Sequence, residues 1–155
     1  MMKLIEKPLT ITLALLLFFS IAGIIGNLIP WYTQENPYKV EKKTYVPGDT
    51  MQIEISRQAL INLTGRVVRE LVRLHDDVEE EVYKVSYDIE MDRGKKSIEV
   101  FYKIPTLKDC PQLGSNTFIW RGSIVYKPFG LPERSVHFVT EEFHIKAEKN
   151  ESYAS

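Results

Sequence analysis

The residues best suited to chemistry are few and scattered. His75-Asp76-Asp77, followed by Glu79-Glu80-Glu81, is the densest group of carboxylates. Such a group could attract calcium, which takes about six to eight oxygen ligands. Its spacing has no EF-hand pattern and no glycine at the turn position, so it reads as a solvated hairpin tip whose charges discourage edge-to-edge pairing. His137 and His144 have no third ligand in view. Cys110 lies in Lys108-Asp109-Cys110-Pro111 without a neighbouring histidine, whereas a nucleophile needs a base beside it. There is no G-x-S-x-G elbow, S-x-x-K constellation, Walker-type loop or dinucleotide fingerprint. A single cysteine precludes an intramolecular disulfide framework and a multi-cysteine zinc site. The expectation is a protein that is not an enzyme and holds no metal or cofactor.

Arg66, Arg69 and Arg73 recur in one segment and could form a basic patch facing an anionic partner or lipid headgroups. Glu70 and the acidic cluster downstream weaken that field, and a solvated face paired across a sheet is the competing reading. Over the whole chain, 20 Lys and Arg meet 21 Asp and Glu, a formal net charge of −1. That balance argues against nucleic acid as a partner, because dedicated binders carry a basic excess.

The elements that would position these residues begin with an oily segment. Residues 9–29 form a 21-residue apolar run, and no charged side chain occurs from Pro8 to Gln34. A helix of that length spans about 30 Å, the hydrocarbon thickness of a bilayer. Thirteen Leu, Ile and Phe side chains lie in the run, and together they favour insertion by about 4–8 kcal/mol. A transmembrane helix is expected over 9–31 behind a short tail, 1–8, with Leu9, Leu13, Leu16, Phe19, Ile24 and Leu28 as its anchoring residues. Pro30 stops the helix, and Trp31 and Tyr32 suit the interfacial aromatic belt. Lys3, Lys7 and the small residues of Ser20-Ile21-Ala22 also fit a cleaved signal peptide. Against cleavage, the apolar stretch continues past that site. The basic residues on the two flanks nearly tie, but residues 31–38 carry none, which favours a cytoplasmic amino terminus and an exported domain. Ala22 and Gly26 form a small-xxx-small pair that would let two such helices approach.

Beyond the helix, residues 32–43 read as a polar tether and 147–155 as a flexible tail. Between them, period-two patterns dominate. Met51, Ile53 and Ile55 share one parity, as do Tyr83, Val85, Tyr87, Ile89 and Met91; Ile98, Val100, Tyr102 and Ile104; and Phe118, Trp120, Ile124 and Tyr126. Phe143 and Ile145 close the series. Residues 62–74 fit a helical face about as well as a strand; their β-branched residues and strand neighbours favour the strand. Val46-Pro47-Gly48-Asp49 and Asp92-Arg93-Gly94-Lys95 are turn signals. About seven strands over 44–146, with turns every 8–12 residues, predict an all-β antiparallel sandwich of the immunoglobulin or fibronectin-III kind.

Tyr45-Val46-Pro47-Gly48-Asp49 leading into Met51-x-Ile53-x-Ile55, Ile104-Pro105 before Leu113-Gly114 and Phe118-x-Trp120, and the closing run from Phe138 to Ile145 carry a resemblance. With the N-terminal anchor, the plan resembles small membrane-anchored immunoglobulin-like proteins encoded by tailed bacteriophages. The resemblance implies a fold and a location, not a reaction. The expected partners are the bilayer, through 9–31, and another protein, through the sandwich. Self-association into a homo-oligomer, as a structural or assembly component, is the alternative, and a secreted sandwich after signal cleavage is a third reading.

Overall fold

The structure is a computed structural model that describes residues 6–75 and 78–146. Asp76 and Asp77 of the acidic cluster and the expected tail, 147–155, lie outside the described residues.

Helix α1 spans Glu6–Leu28, 23 residues, so the helix begins within the expected tail. Pro8 falls in its first turn, where a missing N–H costs nothing. Over Thr10–Leu28 it is long and apolar enough to cross a membrane. Eleven of its large apolar side chains, from Ile11 to Leu28, are 47–77% exposed, so no described part of the protein covers this surface. The helix closes with a bond from the Ile29 N–H to the Ile25 carbonyl at 3.2 Å, and Pro30 follows.

Ten strands make up most of the remaining described residues. They are β1 (Tyr32–Gln34), β2 (Lys39–Val40), β3 (Thr44–Tyr45), β4 (Thr50–Ala59), β5 (Leu63–His75), β6 (Val78–Met91), β7 (Gly94–Lys103), β8 (Asn116–Tyr126), β9 (Arg134–Val139) and β10 (Phe143–Ile145). In one sheet β4 is flanked by β7 on one side and by β1 and β2, in succession, on the other. In the second, β5 lies between β6 and β8. The far side of β8 is shared by β9 and β10, and β3 adds in parallel to β10.

One apolar core joins the two sheets. The inward parities expected for β4 and β8 are the observed ones: Met51, Ile53, Phe118 and Trp120 are fully buried. Tyr102 of β7 meets Trp120 of β8 edge-on at 5.7 Å, and Tyr38 stacks on Phe138 at 5.2 Å. Aromatic pairs of this geometry add to the area that they bury.

Two expectations change. The segment 32–43 is not a tether, because β1 and β2 pair with β4 and Tyr32, Tyr38 and Val40 are core residues. Their side chains are held by packing against the second sheet, which a strand of two or three residues cannot announce by periodicity. The segment 62–74 falls almost wholly in strand β5, Leu63–His75, with a register shift between Leu71 and Val72. Leu71 pairs with Tyr83 and Val72 with Glu81, leaving Val82 as the additional residue on β6. Val82, the additional residue, is buried in the core with Leu71, and Val72, paired with Ile119 of β8, is buried as well.

The pairing defines two poles. Tyr32, Ala59, Gly94 and Tyr126 lie at the pole that receives α1, while the end of β5 and the starts of β6 and β8 lie at the other. Gly65 pairs with Tyr126 and Leu74 with Thr117; nine residues of strand separate the poles by about 30 Å.

Candidate functional site

The end of α1 poses a physical problem. The Gly26 carbonyl would accept a bond from the N–H of residue 30, which is proline and has none. Two side chains supply the missing donors: Trp31 Nε1 at 2.8 Å and Arg134 Nη2 at 3.1 Å. Arg134 Nη2 also reaches Asn27 Oδ1 at 3.1 Å, and Nη1 reaches the Ile29 carbonyl at 2.9 Å. Arg134 opens β9, paired with Tyr126 at the end of β8. A cation at a helix C-terminus is also favoured by the helix dipole.

Packing reinforces the bond network. A Cβ placed on Gly26 would stand 3.2 Å from both methyl carbons of Leu131. Glycine therefore allows the β8–β9 loop to lie against the helix. Ala22 remains exposed, whereas Gly26 is buried, so the face expected to meet a second helix is occupied at Gly26 by the chain's own Leu131. On the other flank, the Leu60 N–H donates to the Trp31 carbonyl at 2.9 Å. The strand that follows is clamped as well. Tyr32 and Tyr38 donate to Gln34 Oε1, while Gln34 Nε2 and Asn36 Nδ2 reach the His137 carbonyl at 3.2 and 3.0 Å. Burial pushes the Tyr32 phenol up to about 12, with Arg57 pulling the other way.

Among the expected anchor residues, Leu13, Leu16, Phe19, Ile24 and Leu28 are exposed along α1. Leu9 lies within the helix. Trp31 is half-buried against the β domain. Tyr32 departs from its expected place in an interfacial belt: it is 3% exposed and packs on Tyr126.

The three arginines of β5 do not form one stripe. Arg66 is exposed and bonds Asp88 at 3.1 Å. Arg73 is half-buried, pairs with Glu80 and donates to the Gln112 carbonyl. Arg69 turns inward: its guanidinium lies 3.8 Å from the Tyr102 ring centre, 5.0 Å from Trp120 and 5.3 Å from Tyr87. Its Nε and Nη1 are buried without a hydrogen-bond partner, so the aromatic faces are its main compensation. On the solvent side, Glu70 pairs with Lys84 at 2.6 Å and Arg121 at 3.4 Å, and Arg121 pairs with Glu79. Lys84, then Arg121, hold the Glu70 carboxyl below its ordinary range.

The remaining candidates stay apart. His137 pairs with Ser123 and His144 with Thr117 along the same strand, six residues apart, which is about 20 Å. His144 Nδ1 meets Thr117 Oγ1 at 3.0 Å. Cys110 is buried with its thiol on the Val82 carbonyl at 3.3 Å, and burial raises its ionisation range. Among the described residues, no three His, Cys, Asp or Glu side chains are grouped to hold a metal. Sequence reasoning missed Arg134 and Leu131; the available signal was Pro30, which removes a donor that some other residue must replace.

No protein-family model matches the chain, and no curated protein does. Among solved structures, it is similar to the sporulation control protein Spo0M from Bacillus subtilis at 18% identity and a TM-score of 0.42, covering 77% of this chain and 51% of that one. It is also similar to a Paenibacillus cycloisomaltooligosaccharide glucanotransferase at 16% identity and a TM-score of 0.38, covering 66% of this chain and 13% of that one. The chain thus spans about half the length of the first and a small part of the second. Neither identifies the phage-encoded sandwich proteins expected from the motifs.

Proposed function

We propose that the chain is a single-pass membrane protein whose helix holds a β domain close to the bilayer as a non-enzymatic interaction module. The observation that carries this reading is the apolar surface of α1, left uncovered by the described residues and joined at its C-terminal end to the β domain through Arg134. In water, that surface would cost about 25 cal/mol for each Å² left exposed; in a bilayer, it is the surface that the solvent requires. Cleavage after Ala22 would leave Ile24, Ile25 and Leu28 on the mature protein, each more than half exposed, which favours an uncleaved anchor over a secreted domain.

In this reading the amino terminus is cytoplasmic and the domain, a sandwich of the immunoglobulin or fibronectin-III kind, is exported. Anchoring raises its effective concentration toward partners in the same plane. Among the described strands, β6 pairs with β5 alone and leaves its other edge free, the kind of surface to which an extended segment of another protein adds. Self-association through Ala22 and Gly26 is the weaker reading, since Leu131 covers Gly26.

The test uses the full chain in native membranes. After an alkaline wash it stays with the membranes, protease added from the exported side cleaves only the β domain, and capture by affinity recovers a second protein. Release by the wash, or an amino terminus found near Gly23, would overturn the anchor; a stable homo-oligomer with no other protein would favour assembly.

A further inference from the structure

The turn between β8 and β9 carries the most exposed large apolar side chain among the described residues. Phe129 is 96% exposed, although the turn that holds it is well built. The Leu131 N–H donates to the Pro128 carbonyl at 3.0 Å, Gly130 takes the left-handed conformation with φ +69°, and Pro128 is fully buried. A positive φ at the third position of a four-residue turn suits glycine and leaves the second position, Phe129, at an outer corner. The side chain is therefore held outward by ordered backbone, and nothing in the described protein covers it.

Its height relative to the helix is fixed independently. Leu131 packs on Gly26, and Gly26 lies two residues inside the end of the candidate span, Thr10–Leu28. At about 1.5 Å of rise per residue, Leu131 reaches about 3 Å below the last residue of that span. Arg134 locks the same loop to Gly26, Asn27 and Ile29 from its other end. A bilayer thick enough to cover Leu28 must therefore also meet the 128–131 turn.

We propose that the β8–β9 loop is a second membrane contact, with Phe129 inserted at the lipid–water interface beside the helix. This rests on the anchored reading above and adds to it: the loop fixes the tilt of the β domain on the membrane. The occupant is the bilayer itself. An aromatic side chain favours that level, where its ring leaves water. Lys127 and Glu133, both exposed, flank the turn and reach the headgroup layer; the stem of Lys127 can extend along the apolar surface while its charge stays wet. At the opposite pole, the exposed Val78 begins β6 and is followed by three exposed glutamates, Glu79, Glu80 and Glu81, a surface unsuited to lipid.

The experiment uses the full-length chain in phosphatidylcholine nanodiscs, where both faces are open to solvent. An environment-sensitive dye is attached to Phe129→Cys and, separately, to Val78→Cys; buried Cys110 in the unsubstituted chain reports background labelling. The expected result is strong quenching of the dye at 129 by nitroxide lipids, protection from aqueous iodide and blue-shifted emission, with the reverse at 78. Loss of protection at 129 in Arg134→Met would show that the clasp seats the loop. Iodide quenching at 129 equal to that at 78, in chains that remain in the discs, overturns the inference and leaves the anchor standing. Chains that fail to enter discs at all overturn both.

Discussion

Two arginines in this protein find their partners by opposite means, Arg134 half-buried and Arg69 buried. Arg134, where α1 meets the β domain, spends its donors on the carbonyls of Gly26 and Ile29 and on Asn27 Oδ1. Arg69, in the core beneath β5, lays its charge on aromatic faces and leaves Nε and Nη1 without partners. At the junction, hydrogen-bond direction sets the angle between helix and domain. In the core, a flat cation between rings tolerates rotation but not a change of shape. The first arrangement specifies orientation, and the second fills space. Neither uses an acidic partner among the described residues, so neither behaves as an ordinary salt bridge.

The largest effect tests the strand common to both regions. Tyr32 follows the junction directly, and its phenol is raised from 10.0 to about 12 by burial. Below about pH 10 the phenol is protonated in both folded and unfolded chains, so its contribution is fully present. Between pH 10 and 12 only the unfolded chain gives up the proton, and stability falls by about 3 kcal/mol for the two-unit shift. Above 12 this contribution is gone. Denaturant midpoints measured across that window should fall, and Tyr32→Phe should flatten this part of the slope. An unchanged slope in that variant would mean that the phenol is not shielded.

Arg69 comes next. Arg69→Lys replaces a planar cation with a compact one that cannot stack between Tyr102 and Trp120, and should cost about 2 kcal/mol. Arg69→Met keeps the bulk and removes the uncompensated charge, and should be neutral or stabilising, as replacement of buried charge often is. Thermal unfolding of the two variants reads the difference. If lysine is tolerated and methionine is not, charge rather than shape holds the core. Arg134→Met is smaller in stability, about 1.5 kcal/mol, because the junction is half-wet and Trp31 still serves Gly26. Its signature is local: protease sensitivity should rise in residues 29–32, and the midpoint of the β domain should fall less than in Arg69→Lys.

The contrast between the two arginines also marks what can be read from residues alone. Period two in Met51, Ile53 and Ile55, and in Phe118, Trp120, Ile124 and Tyr126, places those side chains inward, and the structure buries all of them. The helix is legible from composition. β1 and β2 are too short to have a period, so their membership in the sheet depends on contacts with β4 that lie elsewhere in the chain. β5 buries Leu71 and Val72 in succession, and such adjacent apolar residues are why that segment fits helix and strand alike. Arg69 reads as a surface residue because its compensation comes from rings on three other strands. Arg134 bonds Gly26 across 108 residues, and only the proline at position 30 hints that a donor must arrive.

The smallest expected effect is the solvent-side counterpart to Arg69. Glu70, next to it on β5, faces outward and is held below its ordinary pKa by Lys84 and Arg121. Its contribution is therefore present at neutral pH, begins to fade as pH falls through the ordinary carboxylate range, and is lost below the lowered folded value. Lys84 is about half exposed and Arg121 two-fifths, so solvent and salt screen the pairs and the total stays below about 1 kcal/mol. Glu70→Gln should lower the midpoint slightly at pH 7, leave it unchanged at acid pH, and lose its effect in concentrated salt. A salt-independent loss larger than that of Arg69→Lys would invert the comparison, making the outer charge network, rather than the aromatic core beneath it, the main restraint on β5.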